Sequence, residues 1–356
     1  MTAMSCSYPN DDENLSSEEE LFELRNRIPI AQLRHDMEFK RRYRFSKECV
    51  LHILLPIITD KLEYRGSHPI SMIKKLLICL RYYGSNCFQI ISGDIRKIHQ
   101  SSISRIVKQI SNCFAAELST YIFLPNTPQH VRKTIEKFSS ISNFPNVIGA
   151  IDCTHIMITN PGGPYGETFR NRKGWFSLNV QVVGGPNLEI MDIVIRHPGS
   201  AHDSLIFDRS AVRARFERNE LNGILLGDNG YANKTYLLTP VLNPVTDNEN
   251  RYNTAHIKTR NTVERLFGVW KRRFSCLHSG LRTTLITSAA TIAACAVLHN
   301  ISIRYNQNDV DDADVLEVDL QDEDMMENYN DEIDDEDYDL QTGLQFRNQF
   351  IATHFS

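Results

Sequence analysis

Three carboxylates stand where side chains of their kind are uncommon. Asp152 lies inside the β-branched run "VIGAIDCTHIMI", Val147 to Ile158. Asp228 stands at the exit of the aliphatic run Ile224 to Gly227. Glu264 borders the apolar stripe of Val263, Leu266, Phe267, Trp270 and Phe274 in "NTVERLFGVWKRRF". An unpaired charge inside an apolar strand is costly to bury, so these acids call for partners. The hard ions Mg²⁺ and Mn²⁺ take oxygen ligands, and a site of few carboxylates leaves positions open for phosphate and water. Two such ions about 3.5–4 Å apart can activate a water and stabilise the leaving 3′-oxygen of a phosphodiester. Gly268, one turn beyond Glu264, presents no side chain beside that carboxylate.

Each acid also has an ordinary role open to it. Asp152 could bond a neighbouring loop, Asp228 could close a turn, and Glu264 could pair with Arg260 four residues earlier. Asp203, in "RHPGSAHDSLIF", is a weaker metal candidate, because Ser200 and Asp203 have the S-x-x-D spacing of a capping box. His197, His202 and Asp203 together could begin a His/Asp hydrolase metal site, but no second His-rich cluster follows them.

The elements that must hold these residues follow from pattern. Residues 1–20 are polar and acidic, with the composition of a disordered segment. Residues 21–140 carry helical periodicity, including "PISMIKKLLICLRYYGS" with its leading Pro and closing Gly. In "FQIISGDIRKIHQSSISRIVKQISNCF" the spacing predicts a helix, a turn and a second helix capped by Ser101 or Ser102. The second helix has a stripe of Ile103, Ile106, Val107, Ile110, Cys113 and Phe114. Arg105, Lys108 and Gln109 lie off it, where a recognition helix would meet DNA. The same shape also occurs purely as structure. The run "KRRYRFSK", Lys40 to Lys47, is a second basic feature, a nuclear-localisation patch or a solvated face.

From about residue 141 the pattern turns to strands. "SLNVQVV" and "LEIMDIVI" flank Gly184 to Asn187 as a hairpin. A helix near His202 to Phe216, the Ile224 strand, a helix over Thr259 to Phe274 and another over about Ser288 to Arg304 complete an α/β layered order. The uncharged run Thr283 to Ser302 is broken by Ser, Thr, His and Asn, as in a buried core helix rather than a membrane span.

Charge is unevenly spread along the chain of 356 residues with net charge −5. Between Asp309 and Asp339 there are 17 acids and no Lys or Arg, which leaves 27 acids against 39 bases elsewhere. The body is therefore basic, as suits a polyanionic partner, and the stretch 306–356 is expected to be an acidic disordered tail. That tail could compete for the basic surface or serve only as a solubilising segment. The eight cysteines contain no C-x-x-C pair and no export signal precedes them, a pattern of reduced intracellular thiols.

The region from Val147 to about His299 resembles the DDE endonuclease domain of the PIF/Harbinger transposases and the nucleases derived from them. The phrases that carry the likeness are "GAIDCTHI", "NRKGWFSLNVQ", "HPGSAHDSLIF", "LLGDNGY", "YLLTP", "RYNTAHIKTRNTVERLFGVWKRRFSCL" and "AVLHN". The turn "VVGGPN" departs from the family's usual acidic or polar one. The resemblance implies an RNase H-like catalytic domain over 141–305, preceded by an all-α helix-turn-helix region over 21–140. It also implies that Asp152, Asp228 and Glu264 are the metal-binding catalytic triad, with Mg²⁺ or Mn²⁺ as cofactor. DNA is the implied substrate, held by Arg105, Lys108, Lys271, Arg272 and Arg273. A Myb/SANT-like partner and a location in the nucleus, with the cytoplasm as a second place, follow from the same likeness; no membrane does. The activity expected is metal-dependent cleavage of DNA phosphodiesters. An active transposase, or a domesticated DNA-binding or chromatin protein that no longer cuts, are the alternatives.

Overall fold

The structure, a computed structural model, describes residues 36–62, 70–85, 98–307 and 338–356. The aliphatic runs form one five-stranded mixed sheet in the order β3-β2-β1-β4-β5. Its strands are β1 (Val147–Met157), β2 (Ser177–Gly184), β3 (Ile190–Pro198), β4 (Ile224–Leu226) and β5 (Leu237–Leu238). The expected hairpin at Gly184 to Asn187 is present, closed by Gly185 N–H donating to the Glu189 carbonyl at 2.8 Å. Such a short turn can only return the chain antiparallel, whereas the longer connection from β3 to β4 sets β4 parallel to β1. The sequence pattern had not marked β5, a pair of leucines joined in parallel to β4.

Among the described residues, the main helices before the sheet are α1 (Asp36–Tyr43), α2 (residues 47–59), α3 (Met72–Ser85), α4 (Gln100–Ala115) and α5 (Pro128–Ser142). Between β3 and β4 come α6 (Asp203–Asp208) and α7 (Ala211–Glu217). These replace the single helix expected there. The break falls at Ser210, whose Oγ accepts from Arg213 N–H at 3.2 Å and caps α7. The chain then forms α8 (Asp247–Arg273), α9 (Leu285–Arg304) and α10 (Tyr338–His354).

Helix α8 starts three turns earlier than its apolar stripe predicts. Thr246 and Glu249 make a capping box, with Thr246 N–H donating to the Glu249 carboxylate at 2.8 Å and Glu249 N–H to Thr246 Oγ1 at 3.3 Å. Lys271, Arg272 and Arg273 occupy its last turn, where cations suit the helix dipole.

The apolar stripe of α4 is buried as its spacing predicts, against α3 and α9. A buried polar chain joins the three: Tyr83 OH to Ser111 Oγ at 2.8 Å, and Ser111 Oγ to Thr291 Oγ1 at 3.3 Å. The cap of α4 is His99, whose Nδ1 accepts from Ser101 N–H at 3.3 Å, rather than a serine. The residues expected to supply the first helix of the helix-turn-helix, within 86–97, lie outside those described, as do 1–20. Helix α9 is long and apolar enough to cross a membrane, yet its apolar window is 78% buried inside this structure, as in a core helix.

The stretch 306–356 is not wholly a tail. Residues 338–354 form α10, and its Phe350 and Ile351, with Phe355 beyond, pack on Phe144 and Tyr252. Phe144 and Phe350 stack at 5.6 Å between centroids. Arg347 donates to the Pro240 carbonyl at 2.9 Å, and Arg251 donates to the Phe355 carbonyl at 2.9 and 3.0 Å. The acid count of the segment as a whole masked the motif "LQFRNQFIATHF", where aromatics recur at four-residue spacing. Phe350→Ala should therefore cost about 3 kcal/mol of stability, as for other buried Phe→Ala changes. Thermal or denaturant unfolding measures it, and an unchanged midpoint would show that residues 338–356 add nothing to the core.

Candidate active site

The parallel pairing of β1 with β4 sets the first two carboxylates side by side. Ala150 pairs with Leu226. Asp152 lies two residues past Ala150 and Asp228 two residues past Leu226, so the extended register brings the acids opposite one another. Asp152 is directed to the face that α8 covers, where Arg260 reaches it, and the charge of Asp228 acts on it from just beyond the end of β4. Asp228 also closes a turn, its Oδ1 accepting from Gly230 N–H at 3.0 Å. The turn fixes the carboxylate rather than competing with a role in the site.

The third acid arrives from α8 through a shared cation. Arg260 donates through Nη2 to Glu264 at 2.5 Å and through Nη1 to Asp152 at 3.4 Å. The pairing of Glu264 with Arg260 is real, then, but it is not merely local to the helix. The same guanidinium ties the helix to the strand. Its Nε is buried with no acceptor. Among the described residues, no three acids, histidines or cysteines form a ready-made metal cage.

Asp152 is strongly perturbed. Burial and then the charge of Asp228 push its pKa up to about 8, while Arg260 and the Cys153 N–H pull in the opposite direction. Two carboxylates crowded in a poorly solvated place resist double ionisation. A hard divalent cation relieves that conflict, so the donor set Asp152, Asp228 and Glu264 fits such an ion. Asp203 approaches from elsewhere. Its Oδ1 accepts from Asn179 at 2.8 Å, and Cys153, which alternates with Asp152 on β1, is also hydrogen-bonded to it. It therefore sits on the opposite face of β1 from Asp152, although the Asp228 charge still reaches it. No capping box forms: the cap of α6 is His202, and Ser200 N–H is engaged by the Thr168 carbonyl.

The expected DNA-holding residues divide. Arg105 and Lys108 are exposed on α4, and Arg272 is exposed on α8. Lys271 is half-buried, with Nζ donating to the His155 carbonyl on β1 at 3.4 Å. Arg273 is a correction: it is 3% exposed and donates to the Gln307 carbonyl at 2.8 Å, so its charge joins α8 to the end of α9. Sequence reading also passed over Arg260 as a site residue, and Arg172, which donates to His202 Nδ1 at 3.1 Å beside Asp203. The signal for Arg260 was its i,i+4 spacing from Glu264.

Gly268 is exposed in the interior of α8, and a Cβ placed there would meet nothing within 4 Å. Glycine at such a position costs about 1 kcal/mol relative to alanine, and no internal contact explains it.

Comparison with known proteins places these residues in a shared region. A family model described as DDE superfamily endonuclease matches residues 151–300. A Bos taurus protein named "Putative nuclease HARBI1" is 33% identical over 246 residues, covering 68% of this chain and 70% of that protein. The Homo sapiens protein of the same name is 32% identical over the same shares. The one from Xenopus laevis is 29% identical over 295 residues, 82% of each chain. No solved structure matches.

The raised pKa of Asp152 has a direct consequence. Below about pH 8 the carboxyl holds a proton, and a metal ligand must lose it. Mn²⁺ affinity should therefore rise with pH up to about 8, with up to one proton released per binding event at pH 7. Calorimetry in buffers of different ionisation enthalpy measures that release. Asp152→Asn should abolish it, and proton-free binding by the wild type would contradict the assignment.

Proposed function

Because the chain belongs to the Harbinger transposase-derived branch of the DDE superfamily endonucleases, we propose that it is a divalent-metal-dependent endonuclease cleaving DNA phosphodiesters. The observation that carries the reading is that Asp152 feels the charge of Asp228 from the end of the paired strand and shares Arg260 with Glu264. The strand order, with β2 antiparallel to both neighbours and β1, β4 and β5 parallel, supports an RNase H-like classification.

In this reading Asp152, Asp228 and Glu264 hold Mg²⁺ or Mn²⁺. Bound there, the ion would supply Lewis-acid activation of a water and of the phosphodiester. The chain's own residues do the rest. The strand pair fixes two carboxylates on rigid backbone, as positioning within a fraction of an ångström requires. Arg260 offsets the charge of Glu264 and lies within reach of the Asp152 carboxyl, and its planar fork would also suit a phosphate. Arg105, Lys108, Lys271 and Arg272 supply charge for the DNA backbone. Asp203 holds Asn179 and the α6 end of the site rather than the ion.

The basic body and the run Lys40 to Lys47 support a nuclear location, and the family resemblance supports a Myb/SANT-like partner. Supercoiled plasmid incubated with the protein and Mg²⁺ or Mn²⁺ tests the activity, alone and with such a partner. Metal-dependent nicking is expected, falling about a hundredfold or more in Asp152→Asn, Asp228→Asn and Glu264→Gln, since a lost ligand removes several kcal/mol of transition-state stabilisation. Nicking that persists in Asp228→Asn would contradict the site. Tight DNA binding by a protein that never nicks under any of these conditions would favour a domesticated binding protein.

A further inference from the structure

Gly268 lacks both usual reasons for a helical glycine. Its φ is not in the left-handed region, and its missing Cβ makes room for no part of this chain. The residue lies one turn after Glu264 on the same exposed face. Side chains on a helix lean toward its N-terminus and cover the preceding turn. Any side chain at 268 would therefore lean over the Glu264 carboxylate. A helix that carries glycine there leaves its backbone bare beside the site, the arrangement that admits close approach of a ligand.

The C-terminal side of this bare stretch is basic, with Lys271 half-buried and Arg272 exposed. Lys271, three residues on, reaches across to the His155 carbonyl. His155 in turn meets Trp175 edge-on at 5.9 Å, at the base of the turn from Asn171 to Trp175 that carries Arg172. Lys271 and the turn that carries Arg172 thus both contact His155 of β1.

We propose that the bare surface of α8 between Glu264 and Lys271 is the track for one DNA strand, kept open by Gly268, with Lys271 holding a phosphate. The inference rests on the endonuclease reading and adds the path by which substrate reaches the acids. Gly268 is a positioning residue here, and its role predicts effects of opposite sign on fold and on substrate.

Three variants test it in the full chain: Gly268→Ala, Gly268→Leu and Lys271→Ala. Their melting temperatures, Mn²⁺ binding, plasmid nicking and binding of a duplex DNA probe in Ca²⁺ over a range of salt are compared. Gly268→Ala should melt higher than the wild type, because alanine is the better helix former. Gly268→Leu should melt no lower than the wild type and bind Mn²⁺ as it does, yet bind DNA and nick at least tenfold less well. Lys271→Ala should lower the slope of log affinity against log salt by about 0.9, one phosphate contact. A lower melting temperature for Gly268→Ala would mean that the fold itself requires the glycine, and would overturn the proposal. So would wild-type DNA binding and nicking by Gly268→Leu. Unchanged salt slope in Lys271→Ala would remove the phosphate contact from the account. A wild type that neither binds nor nicks DNA would instead sink the endonuclease reading, and the track with it.

Discussion

The site depends on one irregularity in the pairing of β1 with β4. Val147 pairs with Ile224, but the next pair is Gly149 with Leu225, so β1 carries one extra residue between them. Such a bulge shifts every later residue by one, and a shift of one moves side chains to the other face. Without it Asp228 would stand opposite Ile151, and Asp152 would be directed away from it. With it, Ala150 stands opposite Leu226, two residues before each carboxylate. Gly149 permits this arrangement because a Cβ there would lie 2.6 Å from Val183 and 2.9 Å from Leu225. A glycine with no chemistry of its own thus sets the register of the two acids proposed to carry it.

The rest of the molecule keeps α8 seated above that register. Its start is fixed by the Thr246–Glu249 box, its middle by Val263, Leu266 and Trp270 against the sheet, and its end by buried Arg273 bonded to Gln307. Helix α5 packs on it directly, α4 packs on α9, which in turn packs on α8, and α10 packs along its first turns. That support matters because burial, and then the nearby charge of Asp228, work against an ionised Asp152 and hold its pKa high. Arg260 compensates part of the charge from a helix that is itself firmly held. Sites of this kind carry local strain in charge that the surrounding packing offsets.

Much of this was legible in the sequence, and the limits have physical reasons. The runs around Val147, Ser177 and Leu188 announced strands because β-branched residues and a Gly-rich turn are local signals. Asp152 stood out because a carboxylate in an apolar strand is a local anomaly. What the sequence hid was relational. The bulge at Gly149 leaves no mark in composition, and Arg260 looked like an exposed, local partner of Glu264 until the fold placed it against Asp152 as well. Arg273 looked equally exposed, because nothing local shows that the end of α9 covers it. Asp203 fitted a local capping rule that lost to a tertiary bond with Asn179. The C-terminal helix was obscured by the acid-rich residues preceding it.

The central claim, that Asp152, Asp228 and Glu264 share one divalent ion, is most directly tested by mapping where an ion sits. Fe²⁺ offered in place of Mg²⁺, with ascorbate and peroxide, generates radicals that cut the backbone beside the bound metal. The account predicts fragments ending near residues 152, 228 and 264, suppressed by excess Mg²⁺ and lost in Asp228→Asn. Cleavage confined to other segments, or unaffected by Mg²⁺ and by that substitution, would contradict it.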